Sequence, residues 1–234
     1  MAERVLITGG ASGIGRATAE RCRADGLVPV VIDRVEGEGI LAADLSDPAD
    51  TARVLDLALR GGPITRLVNN VGVVRPGPVE EQSFADLDAV VSLNLRCALQ
   101  CLQAVLPGMK EQGFGRVVNI ASRAALGKEL RTVYAATKAG LIGMVKVWAL
   151  ELGAHGITAN AIGPGPIRTE LFDRVNPHNS PRTRAIIEAV PVRRLGEPED
   201  IANAVSFLLD ERSGFVTGQA LYVCGGMTVG NAGA

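Results

Sequence analysis

Histidine and tyrosine are scarce in this chain: two of each in 234 residues, with aromatic side chains at 3%. Charge of one sign is lacking too. The formal net charge is −1 and no stretch carries a dense run of Lys and Arg, which argues against a nucleic acid or a membrane surface and for a small-molecule partner. No run of about 18 apolar residues is uninterrupted, so no membrane span is expected. The opening MAERVLITGGASG has neither the basic start nor the cleavage pattern of a leader. Cysteines are few and far apart, Cys22, Cys97, Cys101 and Cys224, a usage that fits the reducing cytoplasm. Cys97 and Cys101 would share a helix face. His155 and His178 are distant in sequence, so the two read as buried thiols and no metal is expected.

What the chain does have is 47% hydrophobic residues against 21% charged, enough for a sizeable core in one domain over 1–234. Short apolar runs alternate with longer amphipathic segments. That alternation predicts an α/β fold, a Rossmann-type doubly wound parallel sheet with helices on both faces. Seven strands are expected at 4–8, 28–32, 39–43, 65–70, 115–121, 157–162 and 220–224. Asp47-Pro48 reads as a helix start, Ser83 as a cap, Pro107-Gly108 as a stop and Pro198 as another start. A parallel crossover usually needs a dozen residues or more. Between Asp33 and Asp44 the sequence RVEGEGILAA is too short for that, so the second crossover is expected to be a turn on Gly37 and Gly39. Pro166 to Pro191 is the one poorly patterned stretch and is expected to be a substrate flap.

Three stretches carry chemistry. TGGASGIG, Thr8 to Gly15, follows the first strand and opens a helix. Glycines there let backbone N–H groups approach a pyrophosphate at the positive end of the helix. Its spacing is G-x-x-x-G-x-G, where G-x-G-x-x-G is the usual form. Asp33, about 20 residues past the glycines, sits where a carboxylate bonds an adenosine ribose, which favours NAD over NADP. Arg34 beside it is a counterweight that could bind a phosphate. YAATK places Tyr134 and Lys138 four residues apart on one helix face.

TGGASGIG, Asp44, NNVG (Asn69 to Gly72), Asn94, Ser122, YAATK, PGPIRT and the terminal TGQALYVCGG, in this order, resemble the short-chain dehydrogenase/reductase family, in its single-domain branch. The resemblance covers nearly the whole chain. It implies that Tyr134 is the acid/base, Lys138 its partner, Ser122 the hydroxyl that orients substrate, and Asn94 the support of a water relay. Lowering a phenol from about 10 by roughly three units takes about 4 kcal/mol. An ammonium about 4 to 5 Å away supplies on the order of 4 kcal/mol at an effective dielectric near 20. Lys138 is therefore expected to pull Tyr134 down.

The resemblance also implies cofactor contacts at Gly9, Ser12, Gly13, Ile14 and Gly15, at Asp33, Arg34, Asp44 and Leu45, at Asn70, Val71 and Gly72, and at Tyr134 and Lys138. Pro164, Gly165, Ile167 and Thr169 would lie at the nicotinamide carboxamide. Three departures stand out: NNVG for the commoner NNAG, Cys224 where Asp is frequent, and Ser12 where NADP-using relatives often carry a basic residue. The implied protein is a cytoplasmic homotetramer that moves a hydride between NAD and a secondary alcohol or ketone. Within the family, a 3-oxoacyl thioester and a cyclic diol are alternatives. From another class, the alternative is a non-catalytic dinucleotide-sensing or scaffold protein. The flap offers Leu171, Phe172, Val175 and Ile186 beside Arg174, His178, Arg182 and Arg184.

Overall fold

The computed structural model describes residues 3–177 and 180–230. Seven strands form one parallel sheet: β1 (Arg4–Thr8), β2 (Val28–Asp33), β3 (Ile40–Ala42), β4 (Arg66–Asn69), β5 (Gly115–Ile120), β6 (Ile157–Pro164) and β7 (Ala220–Val223). Their order is β3-β2-β1-β4-β5-β6-β7. The winding reverses between β1 and β4, which opens a crevice at the carboxyl ends of those two strands. Alternate side chains of β1 go to opposite faces. Leu6 joins a cluster with Ile32, Leu67 and Val117, while Val5 and Ile7 join Val31, Val68 and Val118.

Helices α2 (Pro48–Leu59), α4 (Cys97–Gln112) and α5 (Thr132–Leu152) supply Val54, Cys101 and Val145 to the first cluster. Helices α1 (Gly13–Ala24) and α8 (Pro198–Leu209) supply Cys22 and Val205 to the second. Both faces of the sheet are covered, so each central strand is buried along its length. The strands fall where the sequence puts them, with ends displaced: β6 runs on to Pro164, and β3 shrinks to three residues. Residues 34–39 replace a crossover helix, Gly39 takes a φ of +71°, and β3 still pairs parallel with β2.

The expected caps form. Asp47 accepts hydrogen bonds from the Ala49 and Asp50 amides, and Ser83 accepts one from Asp86. Two expectations for the long helix need correction. Pro107 does not end it; α4 passes through to Gln112 and closes on Gly113 in the left-handed conformation. Pro107 and Gln103 are both exposed, so the turn that lacks the proline's amide bond lies on the outer side of the helix. Nor is the segment from Ser83 to α4 uniformly α-helical. After α3 (Phe84–Val91) a π turn spans Ser92–Arg96, with Asn94 buried inside it.

Counted by helix length and mean hydropathy instead of unbroken runs, two segments are long and apolar enough for a membrane. They are Phe84–Gln112 at 1.5 and Thr132–His155 at 1.2. Both are built into the sheet's cover, with 39% and 33% of their most apolar windows buried. The poorly patterned stretch contains two short helices, α6 (Glu170–Val175) and α7 (Pro181–Glu188).

Candidate active site

The crevice begins at the glycine turn between β1 and α1. Gly9 has a φ of +68° and Gly13 one of +50°, a region that side chains other than glycine rarely take. A β-carbon on Gly15 would stand 2.1 Å from the Gly9 carbonyl oxygen, so only glycine fits. The Asn70 side-chain amide donates to the carbonyls of Thr8 and Gly9 at 3.0 and 2.9 Å. The Thr8 hydroxyl in turn accepts the amides of Asn70 and Val71, both at 3.1 Å. The turn is thus tied to the end of β4. Ser12 is exposed and caps α1 without a side-chain hydrogen bond, so its hydroxyl is unengaged at the positive end of the helix. Ile14 packs against the second core cluster.

Asp33 stands at the end of β2 beside this turn. Its Oδ2 accepts the Ala11 amide at 3.0 Å and its Oδ1 the Val35 amide at 3.4 Å. Arg34 next to it is exposed. Asp44 accepts both the amide and the hydroxyl of Ser46, and these bonds hold its carboxyl below the usual range. Leu45 and Ile167, two expected cofactor contacts, have side chains buried in the core at 3% and 7% exposure. Thr169 caps α6, and its methyl lies 3.2 Å from where a β-carbon on Gly13 would sit, so the β6 loop closes over the glycine turn. Gly165 packs on Cys224, which is buried within its own chain. Nearby is a cavity of about 200 Å³ between Pro166, Ile167, Val190, Val192 and Cys224. It lies behind the loop and includes neither Ser122 nor Tyr134.

The second half of the crevice is at the end of β5. The Lys138 ammonium, buried, donates to the Ile120 carbonyl at 2.7 Å and stands 5.6 Å from the centroid of the Tyr134 ring. Gly72 brings three pieces together: a β-carbon there would be 3.2 Å from Asn94 Oδ1 and 3.3 Å from Lys138 Nζ. The Asn94 amide group is fully engaged. It accepts from Val73 N at 2.8 Å and donates to Val73 O at 3.1 Å and to Thr137 Oγ1 at 3.0 Å. The Thr137 hydroxyl then donates to the Tyr134 carbonyl at 2.9 Å. Ser122 accepts the Ala124 amide at 3.1 Å and keeps its own proton to donate.

Electrostatically the pair departs from expectation. Burial pushes the Tyr134 phenol up; the Ser122 hydroxyl and the Arg131 charge pull it down less strongly. Burial also pushes Lys138 down to about 8. Lys138 does not lower the phenol here, because desolvation penalises both charged forms and the ammonium is turned toward a carbonyl. Thr8 and Thr137 are the polar residues that sequence reasoning passed over. Each lies inside a quoted motif, but only the fold shows which backbone groups their hydroxyls meet.

Among the described residues no three His, Cys, Asp or Glu side chains converge on a metal-sized site. Cys97 and Cys101 are both buried, their sulfurs 3.9 Å apart. His178 lies outside the described residues, as do the side chains of Leu171 and Val175.

A glycine turn at the switch point of a doubly wound sheet, facing a half-buried tyrosine and a buried lysine, defines an α/β oxidoreductase of the dinucleotide-binding class. The chain belongs to the short-chain dehydrogenase/reductase family. The family model described as Enoyl-(Acyl carrier protein) reductase matches residues 9–228. The chain is 40% identical to the (2S)-[(R)-hydroxy(phenyl)methyl]succinyl-CoA dehydrogenase subunit BbsD of Thauera aromatica, over 96% of each chain. It is 34% identical to the 3-oxoacyl-[acyl-carrier-protein] reductase FabG of Thermotoga maritima, over 96% of this chain and 97% of that one. Among solved structures, a blue fluorescent protein from a metagenomic library, in complex with NADPH, is 33% identical. It superposes with a TM-score of 0.88 over 97% of this chain and 98% of its own.

Proposed function

We propose that the protein is an NAD(H)-dependent oxidoreductase acting on a secondary alcohol or its ketone. Tyr134 is the acid/base, Lys138 and Ser122 act with it, and Asn94 supports the wall behind them. The observation that carries this reading is the Tyr134–Lys138 pair, a half-buried phenol beside a buried ammonium, at the foot of a crevice whose other wall is the glycine turn. The turn fits a dinucleotide: the β-carbons absent at Gly9, Gly13 and Gly15 leave backbone amides at the positive end of α1. When bound, the dinucleotide would accept or supply the hydride.

The chain's own residues do the rest. The Ser122 hydroxyl orients the substrate oxygen, and Tyr134 Oη takes the alcohol proton or returns it to the ketone. Lys138 has one of its three N–H donors engaged by Ile120, so two are available for ribose hydroxyls. The Asn94 bonds to Val73 and Thr137 hold the Gly72 backbone against Lys138, and through this support a water relay can reach the ammonium. Pro164, Gly165 and Thr169 would meet the carboxamide end, and Asn70, Val71 and Asp44 the adenosine side. The 166–191 flap, part of the single domain, would close over substrate.

NAD is favoured by the Asp33 carboxylate, which would repel a 2'-phosphate, and by the neutral Ser12. A kcat/KM with NADP(H) equal to or above that with NAD(H) would assign the choice to Arg34 instead. A thioester of a 3-oxo or 3-hydroxy acid is the second reading of substrate, favoured by the CoA and acyl-carrier-protein substrates in the names of both relatives.

A homotetramer is favoured by apolar side chains left exposed in two separate places. Phe84 at the start of α3 and Leu150 on α5 are 85% and 87% exposed, and Phe207, Phe215 and Leu221 are exposed near β7. All four cysteines are free and buried, in keeping with a cytoplasmic protein. The test of the reading is Tyr134→Phe in a screen of alcohols and ketones with both dinucleotides. An enzyme loses turnover and keeps dinucleotide binding, whereas a sensor or scaffold is indifferent.

A further inference from the structure

Beneath the crevice, one layer of the core is polar. Asn69 and Asn119 stand opposite each other in the register of β4 and β5. Each lies two residues beyond Leu67 or Val117, so both side chains enter the face covered by α4 and α5. Both are buried, at 4% and 0% exposure. Asn69 Nδ2 donates to Asn119 Oδ1 at 2.9 Å and to the Ala98 carbonyl of α4 at 3.4 Å. Asn119 Nδ2 donates in turn to the Leu141 carbonyl of α5 at 3.2 Å. One chain of bonds thus runs from α4 through two strands to α5.

Stability does not account for this chain. Asn69 Oδ1 is buried with no partner among the described residues. A buried acceptor left unbonded costs free energy that an apolar side chain in its place would not. The rest of that face is apolar, with Leu67, Cys101, Val117 and Val145. What the two amides supply is direction: a hydrogen bond fixes a distance and an angle, whereas apolar burial is non-directional.

The element fixed is α5, under the reacting pair. Asn119 is followed by Ile120, whose carbonyl takes the Lys138 ammonium. Two successive residues of β5 therefore hold α5 at Lys138 and at Leu141, one turn apart. With the Thr137 hydroxyl bonded to Asn94, the helix has three polar ties at 137, 138 and 141, all in the half that carries Tyr134. Beyond Leu141 its buried residues are Val145, Trp148 and Leu152, all packed through apolar surface. Gly140 brings α5 against the π turn, where a β-carbon would lie 3.1 Å from Leu95 Cδ2. Such a contact limits how near the helix comes and leaves its position along its own axis to the hydrogen bonds.

A misplacement of about 1 Å at a reacting group can cost about a hundredfold in rate. We propose that Asn119, backed by Asn69, is a positioning residue that sets where α5 stands against β5, and with it the place at which the Lys138 ammonium meets the dinucleotide's second ribose. The inference rests on the reading of Tyr134 and Lys138 as the reacting pair, with Lys138 donating to that ribose. Neither amide touches substrate or dinucleotide.

The test is calorimetric titration of the full chain with oxidised NAD and with ADP, which share the adenosine half; only NAD carries the ribose that Lys138 would hold. N119V is expected to weaken NAD about fivefold or more and to leave ADP within about twofold. N69V/N119V removes both amides and leaves neither one stranded, so it should fold even where N119V does not, and it should show the same split. Val145→Ala is the comparison for simple loosening: it opens a cavity on the same side of α5, should lower stability and should leave the ratio of the two affinities unchanged. An NAD affinity unaltered in N119V and N69V/N119V, an equal loss for NAD and ADP, or the same split in Val145→Ala overturns the inference. Turnover is not needed for these measurements. A chain that shows the split yet turns over no alcohol or ketone refutes the proposed function and leaves the positioning role standing, whereas an active, Tyr134-dependent enzyme without the split refutes the positioning role alone.

Discussion

The two walls of the crevice are made differently. The wall built from β1, α1 and β4 is determined by backbone: glycines that admit no β-carbon, and the Asn70 and Thr8 bonds that tie the turn to the next strand. The wall built from β5, α5 and the flap is determined by side chains, from the buried Lys138 and half-buried Tyr134 to the exposed Arg182. The first wall can bind one kind of ligand in one way. The second can change its substrate by changing surface residues while the same acid/base remains, so damage to the two should look different.

The largest effect is expected on the side-chain wall. Tyr134→Phe should cut kcat/KM by about a thousandfold or more, since the positioned acid/base alone is worth 10²–10⁴; the dinucleotide dissociation constant should move by less than about threefold. A comparable loss of binding would mean the walls are not separable. On the backbone wall, Gly15→Ala should do the reverse and abolish dinucleotide binding. Forcing a methyl against the Gly9 carbonyl should also cost about 3 kcal/mol of stability, seen in denaturant unfolding.

Lys138 offers a sign as well as a size. Its pKa falls from 10.5 in the unfolded chain to about 8 in the fold, so burying the ammonium destabilises the protein by on the order of 3 kcal/mol wherever it is charged in both states. That penalty is fully present below pH 8 and disappears as pH rises to about 10.5. The stability of the wild type relative to Lys138→Met should therefore increase across that window, and a flat difference would show that the ammonium is solvated. Asn94→Ala, which leaves Val73 N and Thr137 Oγ1 without their partner, should cost about 2 kcal/mol in the same unfolding assay. The smallest effect belongs to the flap: Arg174→Ala, an exposed change, should stay within about 0.5 kcal/mol.

The contrast between the walls also explains what could be read from the sequence. Strands buried on both faces, such as Val5 to Ile7 and Val117 to Ile120, show as apolar runs, and their order follows from the alternation with helices. Glycine positions are legible because no other residue can substitute for them there. The π turn was hidden because SLNLR has the same apolar spacing as an α-helix, and the bonds that Asn94 makes to Val73 from within it join residues distant in sequence. Pro107 misled for a similar reason: whether a proline ends a helix depends on the packing around it, and only the fold shows that it lies on the exposed side of α4.

The Tyr134–Lys138 spacing was visible, but its electrostatics were not. Four residues on a helix fix proximity, while the direction of a pKa depends on how much water the fold removes.

The central claim is that Tyr134 is made a base by what binds beside it, with Lys138 holding the place. The direct measurement is a spectrophotometric titration of phenolate in the wild type, alone and with saturating oxidised dinucleotide. The chain has two tyrosines, and burial raises both Tyr134 and Tyr222 above the ordinary phenol value. The account expects both phenols to ionise above the ordinary value in the protein alone. With oxidised dinucleotide bound, one tyrosine should ionise at a distinctly lower pH, a change absent from Tyr134→Phe. Ionisation near neutrality in the protein alone, or no shift when the dinucleotide binds, would contradict it.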